Sequence, residues 1–249
     1  MNLIPSLLRL KHQIPFKWMM SLVMLFALLW SAVDWLHKPQ TLPIKHVRVK
    51  GELKHVSYQQ ITDTLSLLVQ TGYFSMNTRA IVNALENLEW VQKASIRRIW
   101  PDTIALNLIE QQPLVVWNKK HLLNDEGQIF SPVLNDNLLK KPHLNGSDGQ
   151  NQSVLQTYLT INKEVADIGV SITRLTLAEH GGWSLVLSNG IRVEVGHQNP
   201  VPLVIKGLRL LTSLEGERLN TVQKIDLRYP NGLAVAWKKN INTTEPAKG

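Results

Sequence analysis

The chain of 249 residues is 44% hydrophobic and contains no cysteine, which excludes a disordered protein, a disulfide framework, a thiolate metal site and a cysteine nucleophile. The formal charge of +8 sits largely at the ends: Arg9, Lys11 and Lys17 give residues 1–17 a charge of +3, and Lys238, Lys239 and Lys248 against Glu245 give residues 238–249 a charge of +2. A balanced middle with basic ends fits membrane flanks and a tail, and argues against nucleic-acid binding.

Residues 1–17 read as a short basic tail. Trp18 to Leu36 is an apolar run whose length as a helix, roughly 28 Å at ~1.5 Å per residue, matches the hydrocarbon core of a bilayer. Trp18 and Trp35 stand near its two ends, where indole rings prefer the headgroups. A cleaved signal peptide needs small residues at −3 and −1. Trp30-Ser31-Ala32 places a bulky ring at −3, so the run is expected to stay as an anchor. The cations on both sides leave the orientation open by count. Long domains translocate largely regardless of charge, so the short tail weighs most. That favours a cytoplasmic N-terminus and residues 37–249 outside.

Pro39 and Pro43 mark a linker, residues 37–43. Residues 44–49 alternate as a strand ending at Gly51. Ser57 caps a helix with Ile61, Leu65 and Leu68 on one face, and Gly72 closes it. Asn77 or Thr78 caps a second helix with Ile81, Leu85 and Leu88 in register. Trp90 to Trp100 reads as a strand, Pro101-Asp102 as a turn, and Ile104, Leu106 and Leu108 as the returning strand of a hairpin. The order is β-α-α-β-β over residues 44–112. Trp100 is expected to plug the hairpin from below. At most one of Arg97 and Arg98 is expected to face the core.

Residues 113–237 read as a second, β-rich module. Asp125-Gly127 makes a turn and residues 138–151 a loop. Ser153 caps a helix over 154–167, and Ile172 to Ala178 is a strand. Trp183–Leu187 and Ile191–Val195 pair through Asn189-Gly190, a dipeptide that tolerates positive φ. Val204, Leu208 and Leu211 line one face of a helix from Pro200 to Glu215. Lys224 to Arg228 and Leu233 to Trp237 form a last hairpin. The fold class is α+β: a transmembrane helix, a β-α-α-β-β module, and a mostly antiparallel sheet with helices on one face. Residues 238–249 are expected to be a flexible tail.

Catalytic patterns with workable spacing are missing: no Gly-x-Ser-x-Gly elbow, His-Glu-x-x-His pair or phosphate loop occurs. Asp125-Glu126 reads as turn chemistry and His180 as a loop residue. His143 with Ser147 and Asp148 has triad letters without a scaffold. No catalytic residue, cofactor, metal or small-molecule substrate is expected. The last hairpin is different. Its final strand reads as a sheet edge, which is either protected, with Lys238-Lys239 beside it, or used. Tyr229, Leu233 and Trp237 have the composition of a binding hot spot. On residues alone, that reading and simple completion of the core are equally good.

Several strings occur in a telling order. Val47-Arg48-Val49-Lys50-Gly51 resembles the opening strand end of POTRA domains. Trp90-Val91-Gln92-Lys93-Ala94-Ser95-Ile96-Arg97-Arg98-Ile99-Trp100-Pro101 and Glu110-Gln111-Gln112-Pro113-Leu114-Val115-Val116-Trp117 resemble segments of the bacterial FtsQ/DivIB division family. Glu89 stands where that family often has proline. Asn124 to Phe130, Trp183 to Gly190 and Ile225 to Val235 resemble later turns and hairpins of the same family. The resemblance implies a non-enzymatic division scaffold in the inner membrane of a Gram-negative bacterium, enriched at the septum. It implies a POTRA module that docks other division proteins, and a C-terminal module that holds the FtsB–FtsL pair to influence septal peptidoglycan synthesis. It carries the FtsB contact onto Arg228, Tyr229, Asn231, Gly232, Leu233 and Trp237. The rival readings are a POTRA-type polypeptide transport or chaperone module, and an anchored enzyme acting on peptidoglycan with Asp125, Glu126, His143 and His180 in one cleft.

Overall fold

A computed structural model describes residues 16–37, 43–70, 72–215, 221–229 and 232–238. The expected basic tail before Phe16, most of the linker, Asn231, and the tail after Lys238 lie outside the described residues. Helix α1 (Phe16–His37) carries the apolar run, and its stretch from Lys17 to Trp35 is long and apolar enough to cross a membrane. The chain divides after Glu110 into two compact units.

In the first unit, β1 (His46–Lys50), α2 (Tyr58–Ser66), α3 (Thr78–Glu86), β2 (Val91–Ile99) and β3 (Thr103–Glu110) follow in order. Strand β3 is central, parallel to β1 and antiparallel to β2. Both helices start where their caps dictate. The Ser57 hydroxyl accepts from Gln60 N–H at 3.1 Å while the Gln60 side chain accepts from Ser57 N–H at 2.9 Å, a reciprocal capping box. Asn77 Oδ1 accepts from Ala80 N–H. Helix α2 stops at Ser66, so Leu68 and Gly72 lie beyond it. Ile61 and Leu65 of α2 and Ile81 and Leu85 of α3 pack on Ile104, Leu106 and Leu108 of β3. Each such burial contributes roughly 1.5–3 kcal/mol. Gly51 is required where β1 ends: its φ is +135°, and a Cβ there would lie 2.4 Å from the Leu108 carbonyl oxygen.

Glu110 closes this module. Its Oε1 accepts from the backbone N–H groups of Lys54, His55 and Val56 at 3.0, 2.9 and 2.8 Å, and its Oε2 lies 3.1 Å from His55 Nδ1. The His55 ring in turn stacks on Trp90, with centroids 3.7 Å apart. Two expectations meet different fates here. Both arginines are exposed, and neither enters the core; Arg98 donates to the Met76 carbonyl at 2.8 Å from the rim of the module. Trp100 is no plug: it is 73% exposed. The core beneath the hairpin is already filled by the aliphatic residues of β3, and the turn carries the indole past them.

The second unit is one nine-stranded sheet among the described residues, in the order β12-β11-β10-β9-β8-β7-β4-β5-β6. Its strands are β4 (Val115–Trp117), β5 (His121–Leu123), β6 (Ile129–Phe130), β7 (His143–Asn145), β8 (Ile172–Leu177), β9 (Trp183–Leu187), β10 (Arg192–Gly196), β11 (Val222–Asp226) and β12 (Ala234–Trp237). Five of its eight neighbour pairs are antiparallel; β4–β7, β7–β8 and β10–β11 are parallel. Helices α5 (Asn151–Val165) and α6 (Pro200–Glu215) touch each other and pack on the middle of the sheet, so they share one face. Leu144, Leu155, Ile161, Leu175, Val193, Val204 and Ile225 are fully buried between the layers. Leu211 lies outside the described side chains.

Two local expectations are corrected. Residues 138–151 are not simply a loop. Helix α4 (Asp136–Leu139) is capped by Asn135, and β7 threads between β4 and β8. Three residues with one apolar side chain give no periodic signal, so only the flanking strands make this a strand. Ser153 is not the cap of α5 either. The helix starts at Asn151. The Ser153 hydroxyl donates back to the Gln150 carbonyl, while Asn151 Nδ2 donates to the Gly127 carbonyl at 2.7 Å. The Asp125-Gly127 turn thus ties down the helix start from outside the local sequence.

Candidate partner-binding edge

Strand β12 is the last in sheet order. It pairs antiparallel with β11, matching Lys224 to Ala236, Ile225 to Val235 and Asp226 to Ala234, and with no second strand among the described residues. Its outer row of backbone groups is therefore an open template. A register shift between Val222 and Lys224 lies opposite Trp237. Leu233 and Val235 lean against the core cluster. Trp237 has their parity but is 43% exposed, and Tyr229 is 57% exposed. Neither ring completes the core.

Between α6 and this hairpin lies a cleft of about 450 Å³, lined by Leu203, Lys206, Leu210, Tyr229, Gly232 and Leu233. At Gly207 a Cβ would come 2.7 Å from Leu227 Cδ2, so a larger residue there requires the buried Leu227 side chain to shift. The sequence reading missed the helix side of the cleft. The signal was present: Leu203, Lys206 and Leu210 recur at i, i+3 and i+7, offset from the Val204 and Leu208 face.

Arg228 and Asp226 fix the entry to the hairpin turn. The Arg228 guanidinium donates to both Asp226 carboxylate oxygens, with Nε to Oδ1 at 2.8 Å, and Arg228 N–H also donates to Oδ1. The arginine side-chain hydrogen bonds hold the Asp226 carboxyl below the usual carboxylate range, and the same contact raises the guanidinium. The stem of Arg228 crosses Gly196, whose φ is +78°. Lys224 Nζ lies 3.6 Å from Glu194 Oε1 on the neighbouring strand. Arg228, Tyr229, Gly232, Leu233 and Trp237 are thus brought to one end of the sheet.

The residues of the rival enzyme reading occupy separate elements. Asp125 and Glu126 form the turn between β5 and β6, where the Glu126 carbonyl accepts from the Gln152 side chain of α5. His143 begins β7, where Nε2 bonds the Leu139 carbonyl oxygen. His180 follows the other end of β8 and meets the His197 ring at 5.7 Å. Among the described residues, no group of three or more His, Asp or Glu is placed to hold a metal ion.

Comparison with known proteins agrees with this architecture. Residues 42–111 match the model of the POTRA domain, FtsQ-type, and residues 115–228 match that of the cell division protein FtsQ/DivIB, C-terminal. The second match stops at Arg228, so the hairpin turn and β12 lie past its end. The chain is 32% identical to cell division protein FtsQ of Coxiella burnetii over 86% of its length and 88% of that protein. It is 30% identical to the FtsQ of Aliivibrio fischeri over 93% and 91% of the two chains. For the FtsQ of Vibrio cholerae the identity is 33% over 87% and 83%. With both modules matched and relatives aligned along nearly the whole chain, the protein belongs to the FtsQ/DivIB family of bacterial cell division proteins.

Proposed function

We propose that this chain is a non-enzymatic scaffold of the division machinery and that β12 is the edge on which a partner strand docks. The observation that carries the reading is the open β12 edge with Tyr229 and Trp237 exposed beside it. A strand added there gains backbone hydrogen bonds along β12, and its side chains reach the two aromatic rings and the α6 cleft. The family resemblance names the occupant as FtsB, in its pair with FtsL. Arg228 and Gly232 flank the turn; Tyr229, Leu233 and Trp237 supply contact area, and the resemblance adds Asn231 to the contact. The N-terminal tail lies in the cytoplasm and both modules in the periplasm, with the protein enriched at the septum. The POTRA module docks other division proteins. The two modules together link early and late components and bear on septal peptidoglycan synthesis.

Titration of the detergent-solubilised full chain with FtsB–FtsL tests this. Tyr229→Ala and Trp237→Ala should each weaken binding by roughly 30-fold or more, about 2 kcal/mol. Their thermal unfolding should stay close to the parent's, because both rings are exposed. A chain truncated before Ile225 that still bound FtsB would overturn the site. Depletion of the protein should give filamentous, undivided cells that neither alanine variant rescues.

A further inference from the structure

One end of the POTRA module collects exposed apolar and basic residues that its own core does not need. Trp100 is 73% exposed in the β2–β3 turn, beside the exposed Ile99. Phe74, also exposed, lies two residues from Met76, whose carbonyl accepts from Arg98 of the same strand end. Arg97, Arg98 and Lys45 flank this tip. Its acid, Asp102, has its carboxylate engaged by the Thr103 hydroxyl at 3.1 Å.

The chain arrives from α1 at this same end. Lys45 N–H donates to the Asp102 carbonyl at 2.9 Å, and His46 is in register with Thr103. Helix α1 ends at His37, eight residues before Lys45. Eight steps of chain reach at most about 28 Å. Lys45, which is bonded to the Asp102 side of the tip, is therefore tethered within that distance of the end of the helix. An indole and a phenyl ring among cations are the side-chain set that prefers the headgroup zone of a bilayer. A tether this short also makes the bilayer a surface at high effective concentration.

We infer that the Trp100 tip rests in the headgroup layer of the membrane that holds α1, with Trp100 and Phe74 entering between headgroups and Lys45, Arg97 and Arg98 meeting lipid phosphates. The POTRA module is then held at two points, through its chain and through this turn. That fixes which of its faces points away from the membrane and is open to division partners. The inference rests on α1 spanning the bilayer.

The test uses the full chain labelled with 5-fluorotryptophan in nanodiscs of phosphatidylethanolamine and phosphatidylglycerol. Trp100→Phe assigns the Trp100 resonance. Lipid carrying a nitroxide near the headgroup should broaden Trp100 together with Trp18 and Trp35, and leave Trp90, at the other end of β2, sharp. A soluble gadolinium chelate should broaden Trp237 and spare Trp100. Replacing Lys45, Arg97 and Arg98 by glutamate should remove the lipid-induced broadening at Trp100 while the Trp90 resonance keeps its shift, showing that the fold is intact. If Trp18 and Trp35 broaden but Trp100 does not, the inference is overturned with the anchor intact. If Trp18, Trp30 and Trp35 all stay sharp, the anchor reading itself fails. Protection of Trp100 that appears only when a second membrane protein is added also overturns it, because the tip then docks protein and not lipid.

Discussion

Removing the carboxylate of Glu110 is the most informative single change to the POTRA module. The side chain is only 3% exposed. Burial pushes its pKa up, but hydrogen bonds from Val56, His55 and Lys54 N–H and from the His55 ring outweigh that. The net shift is below the ordinary value of 4.5. Glu110→Ala leaves the buried Val56 N–H without its acceptor, which costs about 1–3 kcal/mol. The Lys54 and His55 amides can turn to water and add less, so the total is about 3 kcal/mol. Glu110→Gln keeps an oxygen for the three donors but loses the charge that strengthens them, for about 1–2 kcal/mol. In a module of this size each kcal/mol moves the midpoint by roughly 4–8 °C. The alanine variant should therefore unfold its first unit roughly 10–20 °C early, read by hydrogen exchange in β3 and α3 of the full chain. The folded pKa is depressed, so the carboxylate's contribution is complete above 4.5. It fades as pH falls through the folded value, so the gap should narrow there without closing, because the protonated carboxyl still has an oxygen to accept from Val56 N–H. A midpoint within about 2 °C of the parent at neutral pH, on the same scale, or a gap that does not shrink in acid, would refute the argument.

Two further substitutions probe the second unit. Leu144→Ala empties a fully buried position on β7 and should cost about 2–5 kcal/mol, seen as a lower melting midpoint of that unit; a loop residue would cost far less. Gly207→Ala places a methyl 2.7 Å from Leu227 Cδ2, an overpacking cost of about 1–3 kcal/mol partly offset by the roughly 1 kcal/mol that alanine gains inside a helix, so thermal unfolding should show a net loss of at most about 2 kcal/mol. It should also weaken FtsB–FtsL capture by moving α6 away from the hairpin, as titration would show.

What could be read from the chain followed from how local its causes are. The POTRA helices were legible because caps and apolar spacing lie within a few residues of each other: Ser57 with Gln60, Asn77 with Ala80, Ile81 with Leu85. The β9–β10 hairpin was legible for the same reason, through Asn189-Gly190. Strand β7 was not, because its partners β4 and β8 lie far away in sequence. Trp100 was misjudged because a tryptophan in a turn looks the same whether it plugs a core or leaves it. At the candidate edge, the hairpin and its place in the sheet were legible. The exposure of Trp237 was not: alternation groups it with Val235, and the register shift opposite it cannot be seen in β12 alone.

The entry and exit of the POTRA module have a mechanical meaning. The chain comes from α1 into the start of β1 and leaves toward the second unit from the end of β3, and these strands are parallel neighbours in register from His46–Thr103 to Lys50–Asn107. A pull between anchor and C-terminal unit drags the two strands along each other in opposite directions. The whole ladder bears that load at once and cannot be peeled pair by pair. Survival under load is a matter of unfolding rate, and this shear geometry keeps that rate low along the axis on which a constricting envelope would tug.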